Sequence, residues 1–437
     1  MENAVRYLTK YDQEVGALVS AETQRQRRTL SLIPSENYSS KAVQLALATS
    51  YTNKYAEGYP YLWSNGSREE QQSGRYYRGQ EHTNELELLA IRRALQLFTP
   101  NPGDYHANVQ PLSGAPANLA VLSAFLKPGD TFLGLALDYG GHLTHGHNVN
   151  ITGHYYNAVQ YRLNESYELD YEEIRRLAKQ HSPKLIICGA TAYPLQISFR
   201  QLGAIARETG ALLVADIAHI CGLCVTGYHE HPFPHADIVT TTTHKILRGP
   251  RAGLIVCKKP YGAAIDRAVF PGLQGGPHMN TIAAMAVALK EAMSPDYKLY
   301  AGQVVRNAKL LSEMLKAEGF KLMGGRTDNH LLLLDVVGSA NGLSAKNGNW
   351  LAKRWETAGI VANKNAIPGD TKPWYPSGVR LGTPAITTIG MKDQDMANVA
   401  EWIIRATRHA ENEAELQRVR DEIEQFMGRF PSEPFYV

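Results

Sequence analysis

Three groups of polar residues sit at the ends of apolar runs, where a buried strand would deliver them to a site. HANVQPL leads into Ser113 and Gly114, a small hydroxyl-bearing turn ahead of the helical stretch APANLAVLSAFL. Such a turn offers free N–H groups to a phosphate, although any strand–helix turn favours Ser and Gly. GALLVAD closes on Asp216, with Ala218 and His219 just beyond. A carboxylate there needs a partner, because burying it alone is costly. A helix cap would satisfy it, and so would a protonated heterocycle. ADIVTTTT is followed by His244 and Lys245, with Thr242 before them and Arg251 after. A lysine in that place either snorkels to solvent or is desolvated, kept partly neutral and used as an imine-forming amine.

Taken singly, each feature has an ordinary structural reading. Together they supply a phosphate cradle, an acid for a pyridinium nitrogen and an amine for a Schiff base. That is the set of protein groups pyridoxal 5'-phosphate requires. His142, His145 and His147 are close enough to raise a metal site, but no Cys or carboxylate pattern supports one, and no metal is expected. Cys221 and Cys224 have C-x-x-C spacing without a second pair. With Cys188 and Cys257 they read as buried structural thiols in a reducing compartment.

The elements that must carry these residues alternate. ELELLAIRRALQLF has helical spacing, and DTFLGLAL, KLIICGAT, GALLVAD and ADIVTTTT are short runs, apolar or β-branched throughout. YEEIRRLAKQ and RQLGAIARET lie between several of them as helices. The pattern predicts an α/β domain of parallel strands covered on both faces, with functional groups at the carboxyl ends of strands. Residues 4–30 predict a polar amphipathic arm with Tyr7, Tyr11, Val15, Leu18 and Val19 on one face. Beyond a helical stretch near 280–293, residues 300–318 read as helix, NHLLLLDVV as strand and 393–427 as charged amphipathic helix. The expected division is an arm and large domain over 1–298 and a small α+β domain over 299–437.

A chain of 437 residues exceeds a single typical core, in keeping with two domains. Hydrophobic content of 44% with 20% charged residues is ordinary for a soluble protein. The net charge of +3 argues for neither a nucleic-acid groove nor an anionic membrane surface. The N-terminus is charged and lacks an apolar signal core, and no stretch approaches the ~18 apolar residues of a membrane helix. The expectation is a cytoplasmic protein.

The motifs SENYSS, TNKYAEGYP, GGHLTHG, TTTTHKILRGPRAG, FPGLQGGPH and GVRLGTPAIT, in that order, resemble the serine hydroxymethyltransferase (glycine hydroxymethyltransferase) family over nearly the whole chain. The resemblance implies a fold-type-I pyridoxal-phosphate-dependent transferase of aspartate-aminotransferase architecture. It also implies a homodimer, or a dimer of dimers, whose active sites are each built by two subunits. The implied reaction is reversible Cα–Cβ cleavage of serine to glycine, with the one-carbon unit passed to tetrahydrofolate.

By position, the resemblance makes Lys245 the Schiff-base amine and Asp216 the partner of the pyridine nitrogen. His142 would stack on the ring, with His219 and Thr191 near its phenolic oxygen. Ser113, Gly114, Tyr55 and Gly276 would hold phosphate, the last two from the neighbouring subunit, and Thr242 and Arg251 complete the cofactor set. Arg380, assisted by Ser35, would grip the substrate carboxylate through two parallel hydrogen bonds. Glu57, Tyr77 and His244 would stand at the chemistry, Glu57 as acid or base for the β-hydroxyl if burial raises its pKa. Leu137, Gly141, Leu143, Asn365 and Trp374 are the implied folate contacts.

Several positions depart from the family pattern. Between GYP and RYYRG stands YLWSNGSREEQQSG, an insertion of about a dozen residues, long enough for a lid or loop of its own. Arg78 stands where the family has glycine, Asp138-Tyr139 precede GGH, Ala115 replaces a common Ser, and KPWYPSG offers Trp374 in place of a Ser-Pro-Phe-like turn. The cofactor machinery is intact while the second-substrate walls are altered. Two other readings therefore stay open. One is a specialised relative, such as a threonine aldolase or transaldolase or an α-methylserine hydroxymethyltransferase. The other is a catalytically silent homologue, although Lys245, Asp216, Glu57 and Arg380 are all present.

Overall fold

A computed structural model describes residues 2–64, 67–70, 72–340, 342–371 and 374–431. The chain divides into two compact units, one of residues 42–191 with 196–298, the other of residues up to 41, 192–195 and from 299 onward.

The first unit is built on a seven-stranded sheet. Its strands are β1 (Tyr105–Asn108), β2 (Thr131–Leu135), β3 (Asn157–Tyr161), β4 (Leu185–Cys188), β5 (Leu212–Asp216), β6 (Ile238–Thr242) and β7 (Gly253–Lys258). Their order across the sheet is β1-β7-β6-β5-β4-β2-β3. The apolar runs bury almost completely, as sheet strands covered on both faces must. Helix Glu81–Phe98 precedes β1, and helices Gly114–Phe125, Tyr171–His181 and Phe199–Thr209 lie between strands, as their spacing predicts.

Six strands run in one direction, five of them paired parallel to one another, and β7 alone is reversed, antiparallel to both β6 and β1. The sheet is thus mainly parallel, and its one reversed strand has a simple reason. A parallel return needs a crossover of roughly a dozen residues or more, usually a helix. Residues 243–252 are too few and form a tight turn instead, and Lys245 lies in it. The edge strand β3 escapes sequence reading because NAVQY mixes polar and apolar residues and only its last position is buried.

The inserted segment forms a hairpin, Leu62–Ser64 pairing antiparallel with Ser67–Glu69, and residues 65, 66 and 71 lie outside the described residues.

The second unit holds an antiparallel sheet of β8 (Lys321–Leu322), β9 (Leu331–Asp335), β10 (Asn363–Asn365) and β11 (Gly378–Gly382), ordered β8-β9-β11-β10. Helices Gly348–Thr357, Met396–Arg408 and Glu413–Met427 contribute to its core around Trp355. The N-terminal arm is two helices, Glu2–Tyr11 and Gln13–Arg28, with Tyr7, Tyr11 and Leu18 exposed. The arm belongs to this unit and not to the large domain where the sequence placed it. Leu30 and Leu32 are buried in the core of this unit, and Leu30–Ser31 pairs parallel with Ile360–Val361. Among the described residues no helix is long and apolar enough to cross a membrane.

Candidate active site

Asp216 ends β5, and its carboxylate is held by three hydrogen bonds. Oδ2 accepts from His145 Nε2 at 3.0 Å and Asn118 Nδ2 at 2.8 Å, and Oδ1 accepts from the Ala218 N–H at 3.1 Å. Asn118 lies in the helix that Ser113 opens. It also donates to Thr144 Oγ1 at 2.8 Å and accepts from Thr240 Oγ1 at 2.6 Å. Burial alone would raise the Asp216 pKa. The hydrogen bond and charge of His145, then the charge of His142 and the Asn118 amide, outweigh it and hold the carboxyl below its usual range. A carboxylate fixed in its ionised form suits a protonated ring nitrogen.

His145 is the residue that sequence reasoning missed, having weighed it only as a metal ligand. It reaches Asp216 because Gly134 of β2 has no side chain; a Cβ there would stand 2.2 Å from the His145 carbonyl oxygen. Gln160 secures the same oxygen at 2.8 Å. His142 is half-buried, and Thr144 Oγ1 lies 2.7 Å from its Nδ1. Burial lowers its pKa to about 4, against the pull of Asp216. Asn118 could have been found as the one amide inside the apolar stretch APANLAVLSAFL.

Ser113 caps the helix Gly114–Phe125 without spending its side chain on the cap. The hydroxyl and the first N–H groups of a three-turn helix thus face the same end. Gly114 is required by close packing, since a Cβ would lie 2.8 Å from Thr242 Cγ2 at the end of β6. Thr242 in turn donates to the Ala218 carbonyl at 3.4 Å, beside the buried His219. Past Thr242 the chain turns sharply, with Arg248 N donating to the Lys245 carbonyl at 3.1 Å and Gly249 N to that of Thr243 at 2.7 Å. Lys245 is half-buried in this turn. His244 Nδ1 is buried without a hydrogen-bond partner among the described residues, and burial, then Arg251 and Lys245, lower its pKa to about 4. Arg251 is exposed. Thr191 N donates to the Gly140 carbonyl at 2.7 Å, tying it to the Gly140-Gly141 turn before His142. The helix-end donors, the ionised Asp216 and the unmatched His244 nitrogen fit a phosphorylated pyridine.

A second cluster gathers Tyr55, Glu57, Tyr77, Gly275 and Gly276. Tyr77 donates to Glu57 Oε2 at 3.3 Å and Tyr55 to Oε1 at 3.5 Å, and the two tyrosine rings meet edge to face with centroids 5.3 Å apart. A side chain at Gly276 would touch the Tyr55 ring at 3.4 Å. Glu57 is half-buried, while Tyr55 and Tyr77 are exposed at 58% and 45%, a large apolar area to leave in water.

Among the expected folate contacts, Leu137 is half-buried and Leu143 exposed. Gly141 is packed so closely that a Cβ would lie 2.0 Å from the Leu135 carbonyl oxygen, so only backbone is presented there. In the other unit, Asn365 ends β10 and Trp374 is exposed with the Lys364 ammonium 5.4 Å from its ring; Lys372 and Pro373 of KPWYPSG lie outside the described residues. Arg380 is buried in β11, and its Nε donates to Asn363 Oδ1 at 3.1 Å. Burial draws its pKa down to about 10. Ser35 stands in a turn packed on the same strand, where a Cβ on Gly382 would meet Pro34 Cα at 2.6 Å.

The profile described as serine hydroxymethyltransferase matches residues 8–403. The chain is 48% identical over 433 residues to the serine hydroxymethyltransferase of Desulfotalea psychrophila, covering 98% of this chain and 96% of that one. It is 47% identical over 430 residues to the serine hydroxymethyltransferase of Sorangium cellulosum, covering 98% and 97%.

Proposed function

The chain belongs to the serine hydroxymethyltransferase family, and from that membership we propose that it interconverts serine and glycine, passing the one-carbon unit to tetrahydrofolate. The observation that carries the reading is the ionised Asp216, fixed by His145 and Asn118 at the edge of the sheet whose next strand leads to Lys245. Bound pyridoxal phosphate would supply an electron sink for the charge left on Cα when the Cα–Cβ bond breaks.

The chain's own groups do the rest. Lys245 provides the amine that holds the cofactor aldehyde. Asp216 keeps the ring nitrogen protonated, and His142, largely neutral at physiological pH, can lie against the ring without repelling it. His219 and Thr191 serve the phenolic oxygen. Ser113, Gly114, Thr242, His244 and Arg251 belong to the cofactor's surroundings, and the exposed Tyr55 with Gly276 reaches the phosphate of a second subunit in a homodimer. Arg380, with Ser35, grips the substrate carboxylate and so fixes which Cα bond lies perpendicular to the ring. Glu57 takes the proton from the serine β-hydroxyl oxygen as the one-carbon aldehyde leaves, and Tyr77 holds Glu57 in place. Leu137, Gly141, Leu143, Asn365 and Trp374 are the proposed folate contacts, and the cytoplasm is the proposed compartment.

The relatives from Desulfotalea psychrophila and Sorangium cellulosum carry the hydroxymethyltransferase name, which favours this reading over the threonine aldolase, transaldolase and α-methylserine alternatives. The deciding assay follows glycine release from serine, threonine and α-methylserine, with and without tetrahydrofolate. Serine should be the preferred substrate and tetrahydrofolate should accelerate it strongly. Rapid, folate-indifferent acetaldehyde release from threonine would overturn the assignment. Borohydride should fix the cofactor to Lys245, and Lys245→Arg should remove that attachment, because guanidinium is not a usable amine nucleophile.

A further inference from the structure

Arg75 is the first residue after the inserted segment, and its side chain is only 1% exposed, as is that of Glu87 on the helix Glu81–Phe98. An ion pair this deep is tolerable only when every remaining donor and acceptor is matched. Arg75 Nη2 donates to Glu87 Oε2, and Nε donates to Asn84 Oδ1 at 3.1 Å. Nη1 donates to two backbone carbonyls, those of Ala56 and Gly58, each at 2.7 Å. These carbonyls lie on either side of Glu57.

Other contacts tighten the same loop. Gln110 Nε2 donates to the Gly58 carbonyl at 3.0 Å and to Glu87 Oε1 at 2.8 Å. Tyr76 N donates to the Glu57 carbonyl at 3.1 Å, and Gly74 N to that of Tyr59 at 3.0 Å. Gly58 has φ +94°, and a Cβ there would lie 2.2 Å from the Gly74 carbonyl oxygen, so only glycine lets the two segments press together. The backbone of Glu57 is thus held from below by buried charge, while its carboxylate points to Tyr55 and Tyr77.

We propose that the buried Arg75–Glu87 pair is a positioning device for Glu57, gripping the backbone on both sides of it and so setting where its carboxylate stands for proton transfer. The inference rests on the reading of Glu57 as the proton-transfer group. Arg75, with its side chain buried among protein partners, acts through Glu57. Only a planar guanidinium can bond two carbonyls, an amide oxygen and a carboxylate at once; an ammonium has three donors and no fork.

The test uses the holoenzyme and three variants: Arg75→Lys, the paired Arg75→Met with Glu87→Met, and Glu57→Gln as reference. Removing both charges together spares the fold the cost of one unpaired buried ion. The paired variant should keep its cofactor content and its KM for serine. Its kcat should fall roughly 10- to 100-fold, the cost of a displaced catalytic group, and the acid limb of its kcat–pH profile should shift. Arg75→Lys should show the same shift in smaller degree, with kcat only partly restored. If the paired variant fails to fold, Arg75→Lys decides alone. Wild-type kcat and acid limb in the folded variant would overturn the proposal and leave Arg75 a structural residue. A Glu57→Gln enzyme with unchanged kcat and pH profile would instead remove the reading of Glu57 itself, and the proposal with it.

Discussion

Trp63 donates its indole N–H to the Asp266 carboxylate across 2.9 Å, joining the inserted hairpin to the helix Gly262–Arg267. Tyr61 donates to the same oxygen at 2.9 Å, and His106 and Asn108 lie 2.8 Å from the other. Gly262 makes room for the indole, since a Cβ there would sit 2.9 Å from Trp63 Cη2. The hairpin is therefore pinned by its first strand to a buried carboxylate. Trp63→Phe keeps most of the ring but removes one donor to a charged acceptor, a loss of about 1.5–3 kcal/mol. A lower urea midpoint with little change in kcat is expected. An unchanged midpoint would mean that the indole bond contributes nothing.

How far all this could be read from sequence depends on the range of each contact. Lys245 and Asp216 announce themselves because each ends an apolar run, and strand period and burial are local properties. The His145–Asp216 bond joins a strand end to a turn far earlier in the chain, and its one local trace is Gly134, a strand glycine that admits the His145 backbone. Glu87 looks like any surface charge in ELELLAIRRALQLF. Its burial shows only in register, one turn before Ile91 and on the face shared with Ala94 and Phe98. The arm's placement was illegible because residues 30–31 pair with a strand that lies far along the chain.

Replacing His145 tests the geometry around Asp216. His145→Leu leaves the half-buried carboxylate with Asn118 and the Ala218 N–H as its remaining hydrogen-bond donors among the described residues. Its pKa should rise, and its hold on a protonated ring nitrogen should weaken. A hydrogen bond to a charged group is worth about 1.5–3 kcal/mol, so cofactor dissociation should increase roughly 10- to 100-fold, as measured by equilibrium dialysis. An unchanged dissociation constant would show that Asp216 does not depend on this imidazole.

The acid side of the stability curve follows from two histidines. His142 and His244 are each lowered by burial from 6.5 to about 4. Between pH 6.5 and 4 the unfolded chain therefore binds more protons than the folded one. Both groups contribute full stability above pH 6.5 and lose it as pH falls toward 4, by up to about 1.4 kcal/mol per pH unit for each group. Urea unfolding of cofactor-free protein at pH 7 and pH 4.5 should show the decline, and His244→Asn should flatten it. Stability that rises on acidification would contradict these environments.

Arg380 offers the sharpest test of substrate grip. Its pKa of about 10 still leaves it charged near neutrality, and Asn363 fixes the plane of the guanidinium through Nε. The guanidinium is planar and forked, the shape a carboxylate accepts through two parallel bonds. Arg380→Lys keeps the charge but loses the fork, so at least one charge-assisted bond to serine disappears. KM for serine should rise on the order of 10- to 100-fold, since such a bond is worth about 1.5–3 kcal/mol. Asn363→Ala should raise it less, because the guanidinium remains but its plane is no longer set. A lysine variant with wild-type KM would mean that the substrate carboxylate is held elsewhere.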